Sequence, residues 1–186
     1  MQSVPLEQMS PWPQTLRGAC APIELASTAI IFEGGRKIAA ERVNLLAPGA
    51  TDLVVDIDFS GVSTGTERLM WASEMPAFPG LGYPLVPGYE SVGRVVAAGA
   101  DVESRIGETV FVPGSRAFKD VRGLFGGASS RVVVASERAA AIESGLGDKG
   151  ALLALAATAY HAISGHAAPD LIVGHGVLGR LLARLA

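Results

Sequence analysis

The chain has 186 residues and a formal net charge of −3, with 49% hydrophobic and 18% charged residues. This composition is typical of a globular protein of one or two domains and excludes a disordered chain. The weak negative charge and the lack of long runs of like charge argue against nucleic acids or anionic membranes as partners. The longest apolar stretch, residues 151–163, is too short for a transmembrane segment.

Residues 1–27 are predicted to form a flexible N-terminal extension. The first 22 residues contain four prolines and one arginine, and they lack the basic start and apolar core of a secretory signal. Cys20 is the only cysteine of the chain, so an internal disulfide and a multi-thiolate zinc site are both excluded. This cysteine usage predicts a cytoplasmic protein.

Short β-type runs separated by glycine and proline turns follow, and they predict a small all-β barrel or sandwich. In the run 52–59, apolar and polar residues partly alternate, which predicts one buried face and one solvent face. The face predicted to be buried holds Val55, Ile57 and Phe59, and the other holds Val54, Asp56 and Asp58. The predicted strands are 28–32, 37–43, 52–59, 91–98, 108–112 and 130–135.

Two helices are predicted around this β-rich region. The first is a short helix over residues 66–73, and the second runs from about Asp148, a plausible N-cap, to Ile163. Gly165 and Pro169 end the second helix. No internal repeat and no low-complexity tract interrupts this order.

A G-x-G-x-x-G pattern lies near the end of the chain, between the apolar run 171–173, predicted as a strand, and a helix-like stretch over 180–186. Such a turn binds a dinucleotide pyrophosphate on backbone amides at a helix N-terminus. The alternative is an ordinary glycine-rich turn. The candidate cofactor-binding residues are Gly174, His175, Gly176, Val177, Leu178 and Gly179. Only seven residues follow Gly179, so we expect the nucleotide fold to be incomplete.

This order of elements resembles the medium-chain dehydrogenase/reductase superfamily. Residues 60–67 (SGVSTGTE) are similar to its Gly-(Ile/Val)-Cys-His-(Ser/Thr)-Asp segment, and residues 84–90 (PLVPGYE) to its Pro-x-x-x-Gly-His-Glu segment. The resemblance implies a mixed α/β fold: a GroES-like β-barrel domain over residues 28–147, followed over 148–186 by a connecting helix and the start of a Rossmann domain. The active site would lie between the two domains.

The zinc-dependent members of that superfamily hold their metal with residues that this chain replaces. Ser63 stands at the cysteine position, Tyr89 stands at the histidine position, and residues 152–160 contain neither cysteine nor histidine. The resemblance therefore implies a protein without a metal site. Other groups must then accept the alcohol proton and stabilise the developing charge.

A closer resemblance, to a zinc-independent family within the superfamily, covers residues 60–68, 75–94, 122–128, 152–162 and 170–180. It implies oxidation of a hydroxyethyl group on a bacteriochlorophyllide, a tetrapyrrole, to acetyl with NAD as the hydride acceptor. Family members are longer, so we expect a truncated chain of uncertain activity. Two alternatives stay open: a related dehydrogenase or quinone reductase with another substrate, and a non-catalytic GroES-like binding module.

Three residues are candidates for catalysis under this resemblance. Glu90 is either a proton acceptor or a carboxylate that holds a turn; Tyr89 either donates to the substrate oxygen or packs. Thr64 is either a proton relay or a turn residue. Thr158 is placed beside the nicotinamide by the resemblance alone. Glu67 is interpreted as favouring the first turn of its helix, and NAD cannot be told from NADP here.

Large apolar side chains are candidates to line a slot for a flat macrocycle, and the alternative is that they pack in the core. Basic side chains are candidates to bind the carboxylates of the macrocycle, and the alternative is that they form a solvated basic face. These residues are Met70, Trp71, Met75, Phe78, Tyr83, Phe118 and Phe125, with Arg116, Lys119 and Arg122. The apolar faces of the strand at Leu171 and the following helix lack a sheet to join, which predicts self-association, including a homo-oligomer.

Overall fold

The computed structural model describes Leu16–Arg17 and residues 24–186. Cys20 and most of the predicted extension over residues 1–27 lie outside the described residues. The strands are β1 (Leu16–Arg17), β2 (Ala26–Gly34), β3 (Lys37–Asn44), β4 (Asp52–Ser60), β5 (Leu85–Val86), β6 (Ser91–Gly99), β7 (Thr109–Val112), β8 (Arg122–Gly123), β9 (Arg131–Ala135) and β10 (Ala140–Ala141). The α-helices are α1 (Thr66–Ala72), α2 (Leu153–Ile163) and α3 (Val177–Leu185).

The strands form two sheets. The larger has the order β10-β7-β6-β4-β9 with β1 paired to β6, and the smaller has the order β3-β2-β5-β8. Neighbouring strands are antiparallel except for β5 and β8. The Ser130 amide donates to the Thr28 carbonyl at 2.8 Å, which joins β2 to the start of β9. All six predicted strands are present, each end within two residues of its predicted position.

The core corrects the predicted alternation in β4. Val54 packs in a cluster with side chains of both sheets, including Ile31 and Val43. Leu53 and Val55 pack in a second cluster on the other face of the same strand. The predicted solvent face was wrong at Val54, which is fully buried, and the predicted buried face was wrong at Phe59, which is exposed. Both faces of the first half of β4 are therefore covered by apolar side chains.

The predicted first helix is confirmed as α1, but the second begins later than predicted. Residues 144–152 form 3-10 turns, and the α-helix starts at Leu153 with Leu152 as its N-cap. The prediction of Asp148 as the cap was wrong. Gly147 has φ 54° and ψ −132°, a backbone conformation that an α-helix cannot contain.

The C-terminal segment also differs from its prediction. Residues 171–173 form no strand pairing with any other part of the chain that the structure describes, and Leu171 and Val173 are exposed. Strands exist through ladder hydrogen bonds to a neighbour, and none of the described strands lies beside this run. The helix begins at Val177, three residues before its predicted start, with Gly176 as its N-cap. No helix among residues 24–186 has the length and apolar character to cross a bilayer.

Candidate active site

The loop between β4 and α1 carries the first candidate residues. The Ser63 hydroxyl accepts hydrogen bonds from the amides of Gly65 and Thr66, both at 3.2 Å, and so closes the turn that starts α1. Thr64 lies at the tip of this turn and is exposed to solvent. Its hydroxyl is therefore accessible to a molecule that approaches the loop.

Glu67 lies in the first turn of α1, yet its side chain is only 3% exposed. Its Oε2 accepts a hydrogen bond from the Ser63 amide at 3.0 Å, whereas its Oε1 is buried without a partner among the described residues. Burial raises the pKa of Glu67 above its ordinary value of 4.5, and the nearby Glu90 carboxylate raises it further. Amides of Ser63, Gly88 and Glu67 itself oppose this shift.

Glu90 follows the Pro87-Gly88 turn and immediately precedes β6, and it is 6% exposed. Its carbonyl accepts a hydrogen bond from the Gly61 amide at 2.8 Å, and its side chain lies against Gly61. Its Oε1 is also buried without a partner in the described part of the chain. Burial raises the pKa of Glu90 above its ordinary value. A carboxylate in such surroundings is a stronger base than one on the surface.

Tyr89 is half-buried, and its ring meets the Phe125 ring edge to face, with 5.5 Å between the ring centroids and 88° between the planes. The structure thus brings Glu90 next to the loop that carries Thr64, whereas the Tyr89 ring packs against Phe125. The catalytic roles of Thr64, Tyr89 and Glu90 stay predictions.

Glu67 is the residue of this site that sequence reasoning missed. The sequence did contain a signal for the burial of Glu67. Glu67 and the fully buried Met70 are three residues apart and therefore share one face of α1. An acidic residue on the apolar face of a short helix indicates a buried carboxylate.

The backbone of the glycine turn depends on its glycines at two positions, Gly174 and Gly179. Gly174 has φ 108°, in the left-handed region that favours glycine. A Cβ added at Gly179 would overlap the Gly174 carbonyl oxygen, so the absence of a side chain lets α3 pack closely on the turn. A Cβ added at Gly176 would meet nothing within 4 Å, and the space in front of this residue is open. His175, Val177 and Leu178 are exposed around it.

Thr158 lies on α2, which packs against α3. It is exposed, and its hydroxyl donates to the Ala154 carbonyl at 2.9 Å within the helix. The glycine turn and Thr158 therefore belong to one helical unit. Its relation to a nicotinamide stays a prediction.

Among the described residues, no group of three or more His, Cys, Asp or Glu is arranged to hold a metal ion. Ser63 uses its hydroxyl to cap the turn of α1.

The seven apolar residues predicted as candidates to line a slot differ in their burial. Met70 and Phe118 are buried in the core, and Phe78 is exposed at 38%. The remaining four are half-buried and pack against the cluster that contains Met70 and Leu85: Trp71, Met75, Tyr83 and Phe125. The three basic candidates, Arg116, Lys119 and Arg122, are exposed.

A family model for the alcohol dehydrogenase GroES-like domain matches residues 49–144. Over 164 residues the chain is 56% identical to a protein from Rhodobacter capsulatus named 2-desacetyl-2-hydroxyethyl bacteriochlorophyllide A dehydrogenase, covering 87% of this chain and 52% of that protein. The chain spans about half the length of the curated relatives it matches.

Solved structures share the fold at low sequence identity. One is a protein from Helicobacter pylori designated CAD and complexed with NADP(H), with a TM-score of 0.72 and 20% identity over 87% of this chain and 56% of that one. Another is a short chain alcohol dehydrogenase from E. coli CFT073 complexed with NADH, with a TM-score of 0.67 and 22% identity over 86% of this chain and 52% of that one. These matches confirm the predicted fold class, whereas the domain bounds at 28, 147 and 148 stay predictions.

Proposed function

Because the chain belongs to the alcohol dehydrogenase GroES-like domain family, we propose that it is part of a zinc-independent oxidoreductase that oxidises the hydroxyethyl group of a bacteriochlorophyllide to acetyl. The observation that carries this proposal is the 56% identity, over 87% of the chain, to the Rhodobacter capsulatus dehydrogenase. The substrate class is thus taken from the name of that relative.

The chain's own residues support a metal-free mechanism. Oxidation of a secondary alcohol removes a hydride from carbon and a proton from oxygen. Glu90 is the proposed proton acceptor, since burial raises its pKa and therefore its basicity. Thr64 and Tyr89 are the proposed hydroxyl groups that hold the substrate oxygen by hydrogen bonds. Ser63 and Tyr89 at the zinc-ligand positions support a site that works without a metal.

The proposed cofactor is NAD, which supplies the hydride acceptor when bound. Its pyrophosphate would be held by the turn Gly174–Gly179, and Thr158 would lie toward the nicotinamide. The positive φ of Gly174 and the open space at Gly176 support this assignment, because a bound diphosphate needs both a tight turn and unobstructed amides. Calorimetric titration of the chain with NAD and, separately, NADP tests the choice of nucleotide.

A cytoplasmic location belongs to the same proposal. It is supported by the single cysteine of the sequence, which excludes an internal disulfide.

The oxidation itself is tested by a chimera in which residues 24–186 replace the matching segment of the Rhodobacter capsulatus relative. The chimera is incubated with the hydroxyethyl bacteriochlorophyllide and NAD, with and without a strong zinc chelator. The proposal predicts formation of the acetyl product together with NADH, at the same rate in both samples. A chimera that folds but leaves the substrate unchanged, or that is inactivated by the chelator, contradicts the proposal.

A further inference from the structure

We infer that Glu67 and Glu90 bind one proton between them at neutral pH, and that Glu67 is thereby the positioning residue for Glu90. Both side chains are more than nine-tenths buried, with 3% and 6% exposed. In each carboxylate, Oε1 is buried and has no hydrogen-bond partner among the residues that the structure describes. Buried acceptors without a donor are rare in folded proteins.

The two side chains lie against the same short stretch of the loop, residues 61–63. The Ser63 amide holds Glu67 through Oε2 at 3.0 Å, and two residues earlier Gly61 lies against the Glu90 side chain. The Gly61 amide also donates to the Glu90 carbonyl at 2.8 Å, which holds the backbone of Glu90 against this loop. The negative charge of Glu90 is among the causes that raise the pKa of Glu67.

No cation compensates this pair within the described residues. The ion pairs there join other residues: Arg36 with Glu74, Arg42 with Glu24, Arg105 with Glu108, and Arg131 with Asp56. The groups that act on the Glu67 charge are the Glu90 carboxylate and the amides of Ser63, Gly88 and Glu67 itself. For Glu90 the cause is burial. When two buried carboxylates lie near each other without a cation, ionising both of them costs much more free energy than ionising one.

A single proton accounts for both the unpartnered Oε1 atoms and the uncompensated charge. A proton on one Oε1 turns that atom into a donor, and the opposite Oε1 accepts the hydrogen bond, so neither atom stays without a partner. The pair then carries one negative charge instead of two. A divalent cation is a poorer occupant, because no third acidic, His or Cys ligand joins the two carboxylates in the described part of the chain.

The pair retains one ionised carboxylate, which is free to accept a proton. Under the proposed oxidation, on which this step alone depends, Glu90 takes the alcohol proton while the shared proton stays with Glu67. The hydride leaves with the cofactor, and the extra proton passes to solvent. Glu67 then acts through Glu90 without touching the substrate.

The experiment is an NMR titration of the 186-residue chain with ¹³C at the glutamate carboxyl carbons, in the absence of substrate and nucleotide. Resonances are assigned by their loss in Glu67→Gln and Glu90→Gln. We expect both carboxyls to follow two common steps, of which the later takes place at or above neutral pH. In either variant, the remaining carboxyl should titrate in one step at lower pH than that later step.

Glu74→Gln is the matched control, because Glu74 is exposed in a surface ion pair with Arg36 and should leave both resonances unchanged. The inference is overturned if both carboxyls of the unmodified chain ionise as ordinary glutamates, or if each variant leaves the titration of the other carboxyl unchanged. Stoichiometric binding of Mg²⁺ or Zn²⁺ that removes both steps also overturns it. Should both variants unfold, the biphasic titration of the unmodified chain decides alone. Since no substrate is present, the result is independent of the proposed oxidation.

Discussion

The Glu90 side chain lies directly against Gly61, and a Cβ added at Gly61 would overlap Glu90 Oε2 and lie 2.8 Å from Glu90 Cβ. Gly61→Ala must therefore displace the buried carboxylate. We expect a loss of about 1–3 kcal/mol in the free energy of unfolding, as for other overpacked sites. Urea denaturation measures it, with Gly145→Ala as the control because its added Cβ meets nothing within 4 Å. Equal stability of the two variants would refute the close packing at Gly61.

The pH dependence of stability reports the buried carboxylates. Their folded-state pKa values lie above the ordinary value of 4.5, so between these values the folded chain binds more protons than the unfolded chain. The contribution of these two groups to the free energy of unfolding is therefore greatest at low pH, and it is lost as the pH rises through the raised pKa values. Glu67→Gln removes one of these groups, and its amide can donate to the other carboxylate.

We therefore expect Glu67→Gln to be more stable than the unmodified chain at neutral pH by about 1 kcal/mol or more, because the variant takes up no proton at this position when it folds. The advantage should disappear as the pH falls below 4.5, where both carboxyls are protonated in either state. Urea denaturation of both proteins across this range checks the expectation, and Glu74→Gln serves as the exposed control. A stability difference that is independent of pH would contradict it.

The two later glycines of the turn should respond differently to alanine. At Gly176 the added Cβ enters open space, so Gly176→Ala should keep the fold yet obstruct a diphosphate. We expect at least about ten-fold weaker NAD binding, or ~1.4 kcal/mol. Gly179→Ala would overlap the Gly174 carbonyl and should disturb the turn itself. Calorimetry and circular dichroism separate the two effects; unchanged NAD affinity in Gly176→Ala would remove the turn from the cofactor site.

The exposed apolar side chains near the glycine turn predict self-association. Leu171 and Val173 are 77% and 90% exposed, and α3 exposes Val177 and Leu185 as well. We expect Leu171→Ser combined with Val173→Ser to shift the chain toward the monomer in analytical ultracentrifugation. Ile38→Ser, at an exposed position on β3, is the control for a general gain in solubility. Identical sedimentation of all three proteins as monomers would contradict the prediction.

The strands were predictable because their signals are local. Runs rich in Val, Ile and Phe end at glycine and proline turns, and these punctuation residues fix where each strand stops. The burial of Val54 was not predictable in the same way, since it depends on a second sheet covering the face that the alternation left to solvent. The start of α2 was predicted wrongly for a local reason. Residues 148–152 resemble the start of a helix, but the glycines around them favour 3-10 turns.

The candidate site was predictable only in part. The sequence places Glu90 in a loop and so makes it a candidate, and the structure shows that this residue is buried. Its partner Glu67 lies 23 residues earlier, and their approach depends on how the loop after β4 folds back against the segment before β6. A sequence pattern carries no direct information on such a contact between distant segments. The spacing of Glu67 and Met70 on α1 indicated burial, but not what the carboxylate would face.

The most direct measurement is the turnover number of the chimera that carries residues 24–186, compared with the same chimera bearing Glu90→Gln and with one bearing Glu74→Gln. If Glu90 accepts the alcohol proton without a metal, Glu90→Gln lowers kcat by about 10²–10⁴-fold, the usual contribution of a general base. The Glu74→Gln chimera keeps its rate. Retention of full activity by the Glu90→Gln chimera contradicts the mechanism.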